Sequence, residues 1–369
     1  MRYDVAIVGG GPAGSLTAMN LEGERVVLLE EHQSPGFPAQ CAGLISLDCL
    51  KLLSRYVDAE KFTINEIDGA YFFSPSGECV RLKGKSRAAV VERKVMDCEL
   101  LKACNADVLV KSKVTGVEAE GNGFLVRSVR GDVRADCVVG ADGPGSVVAR
   151  DLGFDRPKML SAAQVECRME TDEKFVEIYF GYSDFMFGYA VPTGEEFARV
   201  GVVSESNAIN WLRKLIEEHP SVSKRVDRSK LDEINCGAIP FGIVDFVRGN
   251  AVLIGDSAGM VKPYTGGGIY YLTIAAEMLG KHFPDFEAFR DEYMKRLGKE
   301  YAAGMRIARL YRELNRADYD YLIELGRGNE RLAEELHMDR PSTLVRVLPV
   351  LLRLVKRPRL ALKIARCLL

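Results

Sequence analysis

Aromatic residues are scarce in this chain, with a single Trp in 369 residues, and acidic and basic side chains nearly cancel to a formal charge of -2. Both features argue against the basic, aromatic-studded surface that single-stranded nucleic acid needs, so no nucleic-acid partner is expected. Histidine is scarce too: the four, His32, His219, His282 and His337, lie outside every motif described below. No HExxH pattern and no Ser-His-Asp constellation is present. The nine cysteines include no CxxC pair, which leaves zinc and iron–sulfur sites without support. Their odd number fits reduced thiols. No run of about 18 apolar residues occurs, so no membrane-spanning helix is expected. The opening MRYDVAIVGGG starts directly on a strand pattern, with no charged segment or cleavage site ahead of it, and the expectation is a cytoplasmic protein.

What the sequence does hold is a strand, a glycine turn and a helix at its very start. Residues 3–8 (YDVAIV) form a short apolar run suited to a buried parallel strand. Gly9, Gly11 and Gly14 follow in GxGxxG spacing, with Ala13 between them, and a helical stretch from Ser15 comes next. The first glycine permits the tight turn, the second lets a phosphate reach the backbone, and the third lets helix and strand pack closely. A helix N-terminus adds free N–H groups and a positive dipole end. The second strand, Arg25–Leu29, runs into Glu30 and Glu31. A carboxylate about 20 residues beyond the glycines suits the hydroxyls of an adenosine ribose. This pattern alone does not choose between NAD and FAD.

Two later segments do. Residues 136–150 read DCVVGADGPGSVVAR and residues 251–259 read AVLIGDSAG, each an apolar strand that ends in a turn carrying an aspartate, Asp142 and Asp256. Either aspartate alone could be a plain helix cap. In this order behind GxGxxG, they resemble the flavoprotein hydroxylases and reductases built on the para-hydroxybenzoate hydroxylase fold. The resemblance implies FAD, with Asp256 on its ribityl chain and Asp142 bordering the cofactor and the nicotinamide path. Gly266, Gly267, Gly268 and Ile269 open a further helix, and in that family this turn lies beside the pyrimidine edge of the flavin.

Within the group, Cys41-Ala42-Gly43 in the stretch PAQCAGLIS resembles the geranylgeranyl reductases, including archaeal enzymes that saturate the prenyl chains of membrane lipids. There the cysteine flanks the flavin ring. Arg93 opens an R-x-x-h-D-x-x-L segment that in these proteins reaches the cofactor, and Val114 is expected to meet the adenine side through its backbone. Phe187, Tyr189, Val191 and Pro192, followed by Gly201, partly match a stretch that shapes the substrate cavity, with Tyr189 and Val191 where Trp and Phe are usual. Flavin halogenases have WxWxIP there, and both Trp residues are missing here. Strand alternation alone would also put Phe187, Tyr189 and Val191 on one face.

The expected fold class is α/β: a discontinuous Rossmann-type FAD-binding domain over 1–155 and 236–284, an inserted β-sheet substrate domain over 156–235 with about 62–85, and a helical C-terminal region over 285–369. The segment 111–133 carries hairpin signals. After Asp339 no acidic residue remains, while Arg340, Arg346, Arg353, Lys356, Arg357, Arg359, Lys363 and Arg366 alternate with apolar residues, interrupted by Pro349 and Pro358. Such a stretch suits an anionic membrane surface, and equally a helix packed on the protein's own body. The chemistry is expected to sit on the flavin: hydride delivery to an isolated prenyl C=C, with Cys41 and Tyr264 as candidate assisting residues. NAD(P)H or a ferredoxin-like carrier would supply electrons. The alternatives are an aromatic or polyketide monooxygenase on the same scaffold and a flavoprotein that only passes electrons.

Overall fold

Continuous apolar runs mark strands buried on both faces, and the first sheet is made of them. It is seen in a computed structural model that describes residues 2–36, 41–228, 231, 233–328, 336–347, 354 and 357–368, of which 84–87, 345–347 and 368 by backbone only. Strands β1 (Arg2–Val8) and β2 (Val26–Leu29) are joined by helix α1 (Pro12–Asn20). Among the described residues the sheet has eight strands, ordered β15-β16-β9-β1-β2-β6 with β7 and β8 attached at β9. Here β6 is Asp107–Leu109, β7 Val114–Glu120, β8 Gly123–Ser128, β9 Val133–Gly140, β15 Val247–Arg248 and β16 Ala251–Leu253. All pairs along β16-β9-β1-β2-β6 are parallel. The pair β7–β8 is the expected hairpin, turning at Gly121-Asn122.

The second sheet runs β14-β10-β13-β12-β11-β4-β5-β3. Its strands are β3 (Leu44–Ser46), β4 (Thr63–Phe73), β5 (Cys79–Val91), β10 (Lys158–Arg168), β11 (Phe175–Tyr179), β12 (Gly188–Pro192), β13 (Phe197–Ser204) and β14 (Asn235–Phe241). Only β11–β4 is parallel. The strands at 44–46, 86–91 and 235–241 thus pair within this sheet, although the expected bounds place them with the first domain.

Helix α2 (Leu47–Leu53) follows β3, and α3 (Arg93–Lys102) follows β5. Helix α4 (Val147–Asp151) follows β9, and α5 (Ala208–Glu218) follows β13. Helix α6 (Ile269–His282) crosses α1 so closely that a Cβ on Gly280 would stand 2.2 Å from the Asn20 carbonyl oxygen. The 28-residue α7 (Phe286–Glu313) buries Phe286, Phe289, Tyr293, Leu297, Tyr301, Gly304 and Ala308. Steps of three and four place these on one stripe, and Gly304 lets that stripe rest on Pro263 and Tyr264. Helix α8 (Arg316–Gly326) opens with a reciprocal capping box between Asn315 and Asp318.

The tail packs on this helical body. Helix α9 (Pro358–Leu368) buries Leu360, Ile364 and Cys367, the first two against Leu310, Leu314, Leu322 and Leu325. Lys363 pairs with Asp318 at 2.7 Å. Pro358 starts the helix rather than breaking it, as suits a residue without an N–H. Arg353, Lys356 and Pro349 lie outside the described residues, and of Arg346 only the backbone is described. Among the described residues, no helix is long and apolar enough to cross a membrane.

Candidate active site

The turn after β1 is shaped by what it excludes. Gly9 has φ +100°, and a Cβ there would lie 2.4 Å from the Ala141 carbonyl oxygen. A Cβ on Gly14 would lie 1.9 Å from the Gly9 carbonyl oxygen, so helix and strand could not close. At Gly11 nothing stands within 4 Å, which leaves room for a ligand to approach the backbone. Gly11 is also the N-cap of α1, and no side chain caps the helix. The buried Glu30 carboxylate accepts the Gly10 N–H and the His32 N–H, each at 2.8 Å, so β2 and the glycine turn are tied together at its head group. Glu31 turns outward to Lys113 at 3.0 Å. Val114 is buried at the start of β7, its backbone paired with β8.

The two aspartates divide. Asp142 accepts hydrogen bonds from Ser146 Oγ at 2.6 Å and from the N–H groups of Val147 and Val148. It caps α4, and burial raises its pKa. Asp256 sits in a short 310 turn whose first residue, Gly255, packs on Ala13 of α1. Among the described residues its carboxylate accepts no hydrogen bond. Burial raises its pKa, against the pull of the nearby Arg93 charge.

Arg93 grips Asp97 with two parallel hydrogen bonds of 3.0 and 2.9 Å. Burial works against its charge, but Asp97 and the adjacent Cys41 thiol outweigh it and raise its pKa. Cys41 therefore lies beside Arg93, and Arg93 lies near Asp256: three separate sequence motifs converge. The Cys41–Gly43 segment is held from two sides. Gln164 of β10 donates from Nε2 to the Cys41 carbonyl at 3.4 Å and accepts the Tyr189 hydroxyl at 2.9 Å. Arg199 of β13, 6% exposed, donates to the Ala42 and Val91 carbonyls and pairs with Glu92 and Glu166. Residues 37–40, including Pro38, Ala39 and Gln40 of the same motif, lie outside the described residues.

Phe187, Tyr189 and Val191 do share a face. Phe187 meets the Tyr311 ring, and Val191 packs with Ala42, Leu44, Met338 and Tyr189. Opposite Tyr189 in the register is Gly201, where a Cβ would stand 2.3 Å from the phenol ring. Pro192 ends the strand, its carbonyl accepting from Asn65. Burial pushes the Tyr189 phenol pKa up.

The turn of residues 262–268 completes the arrangement. Gly268 is the N-cap of α6, and this helix too lacks a side-chain cap. A Cβ on Gly268 would stand 3.5 Å from Asp256 Oδ1. Gly266 has φ +75° and lies against Ile239. Residues 264–270 are half-buried between fully buried neighbours. Tyr264 does not project a free hydroxyl: it donates to the Met338 carbonyl. Tyr271 donates to the Asp339 carbonyl, and Lys262 pairs with the Asp339 carboxylate at 2.8 Å. His337 reaches Asp48 at 3.0 Å. Residues 336–347 thus form a strap across the turn. Gln164, Arg199, Lys262 and the strap were absent from the sequence expectations. The only local signals are a basic residue inside an apolar strand (FARVGVVS), another inside MVKP, and the last acidic residue of the chain.

A dinucleotide with a second ring system fits these residues. Among the described residues, two helix N-termini lack side-chain caps, Gly11 has no neighbour within 4 Å, and Asp256 is a desolvated carboxylate without a hydrogen-bond donor, as a hydroxylated chain would supply.

The model of the lycopene cyclase protein family matches residues 4–320. An uncharacterized protein of Methanocaldococcus jannaschii is 33% identical over 344 residues, 87% of each chain. Digeranylgeranylglycerophospholipid reductase 1 of Methanothermobacter thermautotrophicus is 34% identical over 298 residues, 73% of each chain. A geranylgeranyl bacteriochlorophyll reductase-like protein from Thermoplasma acidophilum superposes with a TM-score of 0.81 at 23% identity, covering 99% of both chains. Matched by the family's model over residues 4–320 and 34% identical to a digeranylgeranylglycerophospholipid reductase over 73% of its length, the chain belongs to the lycopene cyclase protein family.

Proposed function

We propose that the protein is an FAD-dependent reductase that saturates C=C bonds of geranylgeranyl chains, with prenylated membrane lipids as the substrate class. The observation that carries this reading is the meeting of Cys41, Arg93 and Asp256, from three distant motifs, with the Cys41–Ala42 segment against Tyr189 and Val191 of β12. Gly11 and the α1 N-terminus would hold the pyrophosphate, Glu30 the ribose, Asp256 and Arg93 the ribityl region, and Gly266–Ile269 the ring edge. Glu31, paired with Lys113, and Asp142, engaged with α4, take supporting places. Bound FAD supplies hydride.

An isolated alkene offers no charge to grip, so the chain's own part is placement and exclusion of water. Phe187, Tyr189 and Val191 give the apolar wall. Gln164 and Arg199 fix the backbone of the segment that carries Cys41, whose Sγ is the candidate proton carrier at the wall. Tyr264, with its hydroxyl donated to the strap, is a positioning residue in this reading. Electrons come from NAD(P)H or a ferredoxin-like carrier. Contact with an anionic membrane is proposed through the outward face of α9, where Arg359, Leu362 and Arg366 are exposed.

The test is anaerobic. Dithionite-reduced protein is mixed with a geranylgeranylated glycerolipid, and the product is read by mass spectrometry. Gains in steps of two hydrogens with reoxidation of the flavin are expected. A flavin that stays reduced until air enters, with lipid mass unchanged, would overturn the proposal.

A further inference from the structure

Lys262 is placed to act on whatever occupies the turn of residues 262–268. Its backbone closes that turn: the Lys262 N–H donates to the Gly267 carbonyl at 3.0 Å, and its own carbonyl accepts from Gly266 at 2.8 Å and Thr265 at 3.2 Å. The side chain folds back under the same backbone, so that a Cβ on Gly267 would stand 3.0 Å from Cε and 3.4 Å from Nζ. The ammonium is 6% exposed and its partner Asp339 is 1% exposed. Nζ donates to Asp339 Oδ1 at 2.8 Å and to the Met338 carbonyl at 3.3 Å. Asp339 Oδ2 is buried and has no hydrogen-bond partner among the described residues.

A buried pair of this kind is weak evidence for stability, because apolar residues of the same volume often serve as well or better. Here the pair puts a full positive charge beneath the half-buried glycines of the cleft, in surroundings where charges act strongly on one another. Reduction of a flavin adds negative charge to the edge that the cofactor reading sets against these glycines, and nearby protein charge tunes that step. We propose that Lys262 sets the reduction potential of the bound cofactor, its ammonium favouring the reduced form and Asp339 limiting the effect as counter-charge. This rests on the FAD reading above.

The signs are opposite for the two partners. Lys262→Met removes the positive charge and should weaken binding of reduced relative to oxidised FAD about tenfold, a fall of about 30 mV for a two-electron couple. Asp339→Asn keeps the ammonium and drops the counter-charge, and should raise the potential by a similar amount. The double variant should return close to wild type. Midpoint potentials are read by dye equilibration on the holoproteins, and affinity for oxidised FAD by flavin fluorescence. Opposite shifts with oxidised-FAD affinity held within about threefold support the proposal. Shifts of the same sign, or unchanged potentials in variants that bind FAD, overturn it, since loosening of the strap would move both variants alike. If Asp339→Asn does not fold, Lys262→Arg against Lys262→Gln decides: the charged replacement keeps the potential and the neutral one lowers it. Wild-type protein that binds no FAD would remove the cofactor reading itself, and this inference with it.

Discussion

Asp142 and Asp256 end equivalent strands of the first sheet, yet among the described residues one is saturated with donors and the other has none. That difference sets their expected mutant behaviour. Asp142→Ala removes the acceptor for the first two N–H groups of α4 and for its N-cap Ser146, and should lower stability by about 1 kcal/mol, read as a denaturant midpoint, with FAD retained. Asp256→Asn should weaken FAD binding at least tenfold by titration while leaving the apo-protein more stable than wild type at pH 7. The sign follows from burial, which raises the Asp256 pKa above the ordinary 3.8. Between that value and the raised one, the folded chain binds more protons than the unfolded chain, so stability falls as pH rises through the window. The advantage of Asp256→Asn should therefore shrink as the apo-protein is taken below about pH 4; an advantage that does not change with pH would contradict it. These aspartates and the glycines were legible in the sequence because a glycine letter states a backbone requirement by itself. Arg199 and Lys262 were not. Their partners lie 157 and 77 residues away, at Ala42 and Asp339, and no local pattern records such meetings.

At the scale of elements, α9 shows where periodicity stops informing. An amphipathic helix announces an apolar face, not what covers it, and here the cover is α7 and α8. Ile364→Ala should cost about 2 kcal/mol, the low end for a buried aliphatic truncation, and Arg359→Gln less than about 0.5 kcal/mol. The outward face of α9 is the surface proposed above for contact with lipid. Co-sedimentation with vesicles containing anionic lipid should fall when Arg359 and Arg366 are both changed to Gln, each having contributed on the order of 1 kcal/mol. Equal binding to neutral vesicles, or no change in the double variant, would confine the tail to a packing role. The second sheet was legible in outline, through its alternating strands. That β3 and β14 pair within it was not, because a three-residue strand and a strand of mixed exposure carry too little pattern to assign a sheet.

Across the whole molecule, Arg199 is the bolt between the second sheet and the head of α3. It stands in β13 of the second sheet and holds Val91 and Glu92, where β5 gives way to α3 and its Arg93. Arg199→Met would strand two buried carbonyls and release Glu92, at about 2 kcal/mol for lost hydrogen bonds to a charged group. Prenyl turnover should fall further than stability explains, because the Cys41 segment loses its mooring; a kcat unchanged at a temperature well below unfolding would show that the bolt serves folding alone. The strap of residues 336–347 has a consequence for biogenesis. The glycine turn of residues 9–14 leaves the ribosome roughly 300 residues ahead of Asp339, about 15 seconds or more at 5–20 residues per second. The nascent chain can shape the pyrophosphate turn early but cannot close the far end of the cleft until the strap has emerged. Cofactor capture in the cell is thereby deferred until the strap is made, and chains stalled short of it should emerge colourless.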